Sequence, residues 1–123
     1  MRFTDGAWRT AEGFNIHPAR EVRFIQNNGK TLTLTLPTYH VGSRGNTLSG
    51  PYLTIEISSP FENAFRIRSY HFKGDSSFSP SYFELNDTCV PLSVDEGDKL
   101  ITVRSGESTL TINKENYGYE LIR

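Results

Sequence analysis

Hydrophobic and polar residues alternate with a period of two along most of the chain. The clearest case is the segment 31–36, in which three leucines alternate with three threonines. Because successive side chains of a β-strand point to opposite faces, this pattern predicts a strand with one buried and one solvated face. Threonine suits the solvated face, since its β-branched side chain favours extended backbone. The turn Asn27–Lys30, whose Asn and Gly residues tolerate positive φ, predicts a hairpin with a partner strand over 21–26.

The same alternation recurs between turn residues at short, even intervals. In the segment 64–72 we expect Phe65 and Ile67 to point inward and the two neighbouring arginines to point outward. Pro91 would confine its strand to a sheet edge or a strand end. No window of ten residues shows helical periodicity, so any helices are expected to be single turns. The further predicted strands cover residues 53–58, 64–72, 90–94, 100–104, 108–113 and 117–123. About eight short strands of this kind predict an all-β fold, an antiparallel sandwich or barrel.

Length and charge narrow the class of protein. A chain of 123 residues supports one core, so residues 1–123 are interpreted as a single domain. A net charge of −1 argues against non-specific nucleic-acid binding and against electrostatic docking to a membrane. Cys89 is the only cysteine, which excludes an internal disulfide. No apolar run approaches the roughly 20 residues of a spanning helix, and the first residues lack a signal-peptide pattern. We therefore expect a cytoplasmic protein with neither nucleic acid nor membrane as a partner.

Motifs for metal or phosphate binding are weak in this sequence. His17, His40 and His71 lie far apart, and none has a second ligand type at metal-binding spacing. Gly29-Lys30-Thr31 imitates the end of a phosphate-binding loop. However, Phe24 stands where that loop needs its first glycine, and a strand follows instead of a helix. We predict no metal and no cofactor.

The candidate catalytic residues also have ordinary structural explanations. Cys89 has no nucleophile signature around it and is typical of a small buried hydrophobic residue. Asp95, Glu96 and Asp98 cluster in a Gly-containing turn, where carboxylates normally face water and lack the apolar surroundings of an acid–base site. We predict no catalytic residue in this chain.

Aromatic and basic residues offer candidates for binding. Arg66 and Arg68 continue into Tyr70 and Phe72, a strip that would stack bases or sugars, although the net charge favours an outer face covered by another domain. Trp8 is either a sugar platform or an anchor for the N-terminal segment.

The loop Thr38–Asn46 is the candidate contact surface. It is long, polar and aromatic, and loops of this kind carry binding functions. We predict that Tyr39, His40 and Arg44 make contact with another domain or subunit. A solvated connection is the alternative.

Several segments, taken in order, resemble a known family. Phe3–Trp8 resembles the opening of the bacterial α-xylosidases of glycoside hydrolase family 31. The most specific element is a strand, a Ser-Pro break and a second strand, running from Leu53 to the His71-Phe72-Lys73-Gly74 ending. The resemblance covers nearly the whole chain, and its other parts are the segments 14–18, 31–37, 46–51, 106–112 and 117–122.

This resemblance implies a specific fold and place in a larger enzyme. It implies an N-terminal β-sandwich similar to the galactose-mutarotase superfold, placed before a catalytic (β/α)₈ barrel that carries two catalytic aspartates. A barrel needs at least about 200 residues, so this chain is too short to hold one. The parent would be a retaining enzyme acting on terminal α-xylosides, and this chain alone would be inactive.

The end of the sequence suggests an interrupted fold. The last predicted strand stops at Arg123 without a terminal turn or polar tail. Together with the resemblance, this leads us to expect a fragment of a longer enzyme. Its incomplete sandwich would have an open edge that pairs with another copy.

Three functions follow from these expectations. The first is a non-catalytic domain that packs against the catalytic barrel of the parent chain, frames the substrate entrance and makes homo-oligomer contacts through edge strands or loops. The second is a free-standing carbohydrate-binding β-sandwich. The third is a structural pairing module that uses the open edge. For the second function, the aromatic stacking platforms would be Trp8, Tyr39, Tyr52 and Tyr82.

Overall fold

The computed structural model describes residue 10 and residues 12–72 and 89–123. Within these residues the backbone forms eight β-strands and one short 3₁₀ helix, Arg44–Leu48. The strands are β1 Phe24–Asn27, β2 Thr31–Pro37, β3 Tyr52–Ser58, β4 Arg66–Tyr70, β5 Ser93–Glu96, β6 Leu100–Ser105, β7 Ser108–Asn113 and β8 Gly118–Ile122. No helix in this part of the chain is long and apolar enough to cross a membrane.

The strands form two four-stranded antiparallel sheets. Their orders are β1-β2-β3-β4 and β5-β6-β7-β8, so strands that follow one another in sequence are also neighbours in space. Leu34 lies opposite Ile55 in the first sheet, and Ile101 lies opposite Ile112 in the second. The period-two pattern predicts an antiparallel sandwich or barrel and the family resemblance a sandwich, and the structure confirms the all-β sandwich.

The core lies between the inner faces of the two sheets. In β2 the three leucines are fully buried, whereas the three threonines on the other face are half-buried. Burying one such leucine side chain contributes roughly 1.5–3 kcal/mol to stability. The core cluster takes members from both sheets: Leu32, Leu34, Leu36, Ile55, Ile57, Leu92, Ile101, Val103, Leu110 and Ile112.

Polar contacts join the two sheets at their ends. The hydroxyls of Ser59 and Ser105, both buried, lie 2.6 Å apart after β3 and at the end of β6. The backbone N–H of Leu92 donates to the carbonyl of Gly29 at 2.8 Å. Because buried hydroxyls and amides need partners, these contacts fix how one sheet sits over the other.

Two strands begin later than the sequence predicts. β1 begins at Phe24, although the N–H of Arg23 still donates to the carbonyl of Thr35 in β2. The regular ladder is interrupted just before it, because the N–H of Val22 donates to the carbonyl of Lys114 beside the second sheet. β5 begins at Ser93, since Pro91 has no N–H to contribute to pairing, and it extends through Asp95 and Glu96, which were expected in a turn.

The predicted orientation of Ile67 is confirmed, but its burial is incomplete. It lies opposite the buried Ile57 and therefore points to the inner face, as predicted. Its side chain is nonetheless 37% exposed, because β4 is an edge strand of the first sheet.

Candidate functional site

One end of the sandwich carries an open cleft of about 510 Å³. Its walls come from the segment before β1, the loop after β2 and the turns that follow β5 and β7. The residues that define its chemistry are Glu21, His40, Val41, Asp98, Lys114 and Glu115. The cleft therefore draws on both sheets, and it includes part of the loop Thr38–Asn46.

The carboxylate of Glu21 holds the loop Thr38–Asn46 through two contacts. The Glu21 side chain is only 10% exposed, one carboxylate oxygen accepts the backbone N–H of Val41 at 3.3 Å, and the other pairs with Nδ1 of His40. A buried carboxylate is stable only when it is paired or hydrogen-bonded. The imidazole of His40, by contrast, is 81% exposed. The contact thus holds His40 in place while presenting it to solvent.

The opposite wall of the cleft carries charges of both signs. Nζ of Lys114 lies 2.7 Å from Glu96, and Nζ of Lys99 lies 3.5 Å from Glu115. Exposed pairs of this kind add little stability. They matter for binding instead. Together with His40 they line the cleft with ammonium, imidazole and carboxylate groups, which suits a polar or charged partner.

Tyr39 and Tyr52 pack against each other beside the cleft. Their ring centroids lie 5.9 Å apart at an interplanar angle of 81°, an edge-to-face pair. The Tyr39 hydroxyl donates to the carbonyl of Thr47 at 3.0 Å. Partial burial, followed by the hydrogen bond and charge of Tyr52, raises the pKa of Tyr39 to about 12. The ring of Tyr39 therefore serves as an anchor within the loop.

Gly50 lies directly against this anchor. A Cβ at position 50 would stand 3.0 Å from Cδ1 of Tyr39 and 3.3 Å from the Thr38 hydroxyl. The close approach explains why the chain enters β3 through a glycine. It also covers part of the Tyr39 ring.

Arg44 begins the 3₁₀ helix and has an exposed side chain. Its carbonyl accepts the hydroxyl of Thr47 at 2.8 Å, and the N–H of Asn46 donates to the carbonyl of Ser43 at 3.1 Å. These local bonds give the loop a defined shape. Of the three predicted contact residues, His40 and Arg44 are presented to solvent and Tyr39 holds the loop in place.

The remaining candidates are placed as follows. Tyr52 lies with Tyr39, whereas Trp8 and Tyr82 are outside the described residues. Cys89 is half-buried with a free thiol. Within the described ranges, no three His, Cys, Asp or Glu residues are placed to hold a metal ion.

The basic-aromatic strip is held by contacts within the protein. Arg66 donates through Nε to the Ser58 hydroxyl at 3.3 Å, and the Arg68 guanidinium lies 5.9 Å from the ring centroid of Tyr70. Burial first, and then hydrogen bonding to Glu56, raises the pKa of Tyr70 to about 12.

Sequence reasoning missed Glu21 as a site residue. A glutamate at the start of a predicted strand is usually solvated, and its partner Val41 lies 20 positions away. No local pattern marks such a residue, because its burial depends on how the loop after β2 folds back.

Comparisons with known proteins agree with the resemblance seen in the sequence. No protein-family model matches the chain. It is 30% identical over 112 residues to the α-xylosidase XylQ of Lactiplantibacillus pentosus, and 29% identical over 114 residues to an α-xylosidase of Emericella nidulans. These matches cover 91% and 92% of this chain but only 14% of each relative. The predicted similarity to α-xylosidases is thereby confirmed, for a chain that spans about one-seventh of their length.

Proposed function

We propose that this chain is a non-catalytic β-sandwich domain of a longer α-xylosidase, a retaining enzyme of the family 31 type that hydrolyses terminal α-xylosides. In that enzyme the domain packs against the catalytic (β/α)₈ barrel, frames the substrate entrance and contributes contacts between subunits. The resemblance in sequence implies that the catalytic aspartates belong to the barrel. The domain contributes shape and contacts instead of reacting groups.

The observation that carries this proposal is the unequal coverage of the two matches. Nine-tenths of this chain aligns with α-xylosidases, yet the aligned part is 14% of each of them. Core strands of both sheets fall within a match of this extent. A segment of this length is too short for the catalytic (β/α)₈ barrel, which alone needs about 200 residues. It therefore corresponds to one domain of a longer enzyme.

The cleft end of the sandwich is the surface that fits the barrel contact best. Nδ1 of His40 is held by a buried carboxylate and the side chain is 81% exposed, so its remaining ring nitrogen, Nε2, is presented to a partner at little entropic cost. Arg44 is exposed on the neighbouring 3₁₀ helix, which internal hydrogen bonds shape. A rigid loop with charged tips is typical of contacts between domains.

The first test is an activity assay of the 123-residue chain with an aryl α-xyloside. We expect no turnover above background after rigorous purification. Turnover that co-purifies with the folded chain would overturn the non-catalytic assignment. The open reading frame that encodes the chain is the second check, because the proposal requires it to encode a (β/α)₈ barrel as well.

The contact role is tested in the full-length enzyme. His40→Ala combined with Arg44→Ala is expected to lower the thermal midpoint of the whole enzyme, because contacts between the domain and the barrel are lost. Arg104→Ala is the matched control, since Arg104 is exposed on β6 away from the cleft. Equal effects of the two changes would contradict the assignment of the contact surface.

Carbohydrate binding is the second candidate, and one observation favours it. The fold brings together two of the four predicted stacking residues, Tyr39 and Tyr52. Their edge-to-face packing and the cover from Gly50 leave less ring surface for a sugar than a free platform has. Calorimetry with xylo- and gluco-oligosaccharides decides between the two functions. Millimolar or tighter binding that Tyr52→Ala removes would support a binding module, and no heat signal would support the scaffold.

A further inference from the structure

The connection from β2 to β3 presents one apolar side chain to solvent. This β2–β3 loop runs from Thr38 to Pro51 and contains the 3₁₀ helix, none of whose residues is buried. Leu48, the last residue of the helix, is 93% exposed, the highest value among the large apolar side chains of the described residues. Loops of this length inside a compact domain usually carry a binding function.

Hydrogen bonds hold the β2–β3 loop in one conformation although its tip lies outside the core. Thr38 donates to the carbonyl of Pro51 through its N–H at 3.2 Å and its hydroxyl at 3.0 Å, which closes the two ends of the loop. The hydroxyl of Tyr39 reaches across the loop to the carbonyl of Thr47 at 3.0 Å. The residue before Leu48 is thereby fixed. A preformed loop loses little conformational entropy when a partner binds it.

Gly45 leaves the surface beside Leu48 open. A 3₁₀ helix has three residues per turn, so positions 45 and 48 lie on the same side of it. A Cβ at position 45 would have a single neighbour within 4 Å, the hydroxyl oxygen of Ser43 at 3.9 Å. Another surface can therefore approach the helix backbone closely at this point and enclose the leucine.

The charge of the loop indicates what kind of surface it fits. The segment 38–51 contains Arg44 and His40 and has no aspartate or glutamate. Arg44 is exposed, and the side chain of His40 is 81% exposed. Carboxylates on a partner are complementary to these groups. A symmetric contact of two copies around Leu48 would instead bring their arginines towards each other, which argues against a second copy as the partner.

We propose that Leu48 is the central anchor of the contact with the catalytic barrel, a contact that rests on the proposed function of the domain. Its side chain inserts into an apolar pocket of the barrel that is bordered by carboxylates facing Arg44 and His40. This chain corresponds to 14% of each relative, so most of such an enzyme is joined to the domain covalently. Covalent linkage raises the effective concentration of the two surfaces and favours a partner in the same polypeptide.

The first experiment places a photoreactive diazirine amino acid at position 48 of the full-length enzyme. After irradiation we expect cross-linked peptides that join position 48 to the barrel, with the mass of a single polypeptide on a denaturing gel. The matched control carries the same amino acid at position 61. Phe61 is 67% exposed and follows β3, whose other end joins the β2–β3 loop, so we expect no cross-link to the barrel from there.

The second experiment measures the thermal midpoint of the full-length enzyme. Leu48→Asp is expected to lower the midpoint by at least about 2 °C, because the anchor is lost and a carboxylate is brought to a carboxylate-lined pocket. Phe61→Asp introduces the same charge at another exposed apolar position and is expected to lower it less.

The third experiment tests the close approach at position 45. Gly45→Trp is expected to lower the midpoint of the full-length enzyme as Leu48→Asp does, because the indole occupies the space that the barrel needs. The domain itself has room for the substitution, since the open surface at this position contains no other described atom within 4 Å except the Ser43 hydroxyl. Gly45→Ala adds only a methyl group and is the control that should leave the midpoint nearly unchanged.

Each alternative has its own outcome. A cross-link from position 48 to another subunit overturns the assignment of the partner, and the absence of a cross-link to the barrel overturns the contact. Equal shifts for Leu48→Asp and Phe61→Asp, or for Gly45→Trp and Gly45→Ala, also overturn it. The reading frame and the aryl α-xyloside assay test the proposed function separately. An enzyme that contains the barrel but lacks the contact at Leu48 therefore refutes the anchor alone.

Discussion

Asn63 joins two turns of the sandwich by hydrogen bonds from its side chain and its backbone. It adopts a φ of 66°, a left-handed conformation in which asparagine is tolerated better than most residues. Its side-chain oxygen accepts the N–H of Glu107 at 2.6 Å, and its carbonyl accepts the Ser108 hydroxyl at 3.2 Å. Gly106, with a φ of 57°, passes so close that a Cβ would lie 2.5 Å from this oxygen. The turn after β3 is thereby locked to the turn between β6 and β7.

Two substitutions of Asn63 are predicted to distinguish the energetic cost of backbone strain from that of the lost hydrogen bond. Asn63→Ala loses the bond to Glu107 and places a poorly tolerated residue at positive φ, so we expect a loss of about 1–3 kcal/mol in the free energy of unfolding. Asn63→Gly loses the same bond without the strain, so its loss should be smaller. Urea denaturation measures both changes. Asn116→Ala, at an exposed position, is the control, and an equal loss in it would contradict this role of Asn63.

The tyrosines predict a loss of stability at alkaline pH. The pKa values of Tyr39 and Tyr70 are each raised to about 12, and burial also raises the pKa of Tyr117. Because the folded state disfavours ionisation relative to an unfolded pKa near 10, their contribution is complete below about pH 10 and is lost as the pH rises towards 12. Tyr39→Phe should therefore reduce the fall in unfolding free energy over that window. An unchanged alkaline slope in this variant would contradict the assignment.

At the scale of elements, β2 shows how alternation produces a two-faced strand. Its leucines face the core and its threonines face outward, and it pairs with both β1 and β3. A central strand with this pattern has its register determined, because a slip by one residue would expose every leucine. β2 is for this reason the element around which the first sheet is organised.

Substitutions on the two faces of β2 are predicted to differ sharply. Leu34→Ala removes a fully buried side chain and should cost about 2–5 kcal/mol in the free energy of unfolding. Thr33→Ala lies on the half-buried outer face and should change it by less than about 1 kcal/mol. Chemical denaturation of the two variants gives the comparison directly. Similar losses at both positions would contradict the two-faced arrangement.

At the scale of the whole molecule, a pair of buried serines joins the two sheets. Ser59 is fully buried, its hydroxyl donates to the Phe61 carbonyl at 2.8 Å, and it lies 2.6 Å from the Ser105 hydroxyl. The two serines are 46 positions apart in the sequence. Their contact is specific to the packed sandwich.

The serine pair is predicted to behave as one energetic unit. Ser59→Ala leaves the Ser105 hydroxyl buried without this partner and should cost about 1–3 kcal/mol. The double variant with Ser105→Ala should cost less than the sum of the two single changes, since the contact is lost only once. A double-mutant cycle by urea denaturation measures the coupling. Ser93→Ala, exposed on β5, is the control, and strict additivity at 59 and 105 would contradict the contact.

Much of the fold was predictable because its information is local. Strand identity follows from period-two alternation, so the bounds of all eight predicted strands match within about three residues, including the faultless 31–36 segment. β5 begins later than predicted, since pairing across Pro91 fails for lack of an N–H. The loop Thr38–Asn46 remains a predicted contact surface, chosen from its length and polarity. Its sequence did not show that Tyr39 packs against Tyr52 while His40 is exposed.

The sequence alone determined the all-β class, the alternation that builds each strand and the similarity to α-xylosidases, because each of these depends on residues close together in the chain. Only the tertiary structure decided that Glu21 is buried under His40 and that Ser59 meets Ser105. The physical reason is that burial and pairing between distant residues depend on how two sheets are laid over each other. Local periodicity specifies which face of a strand is apolar, but not what covers it.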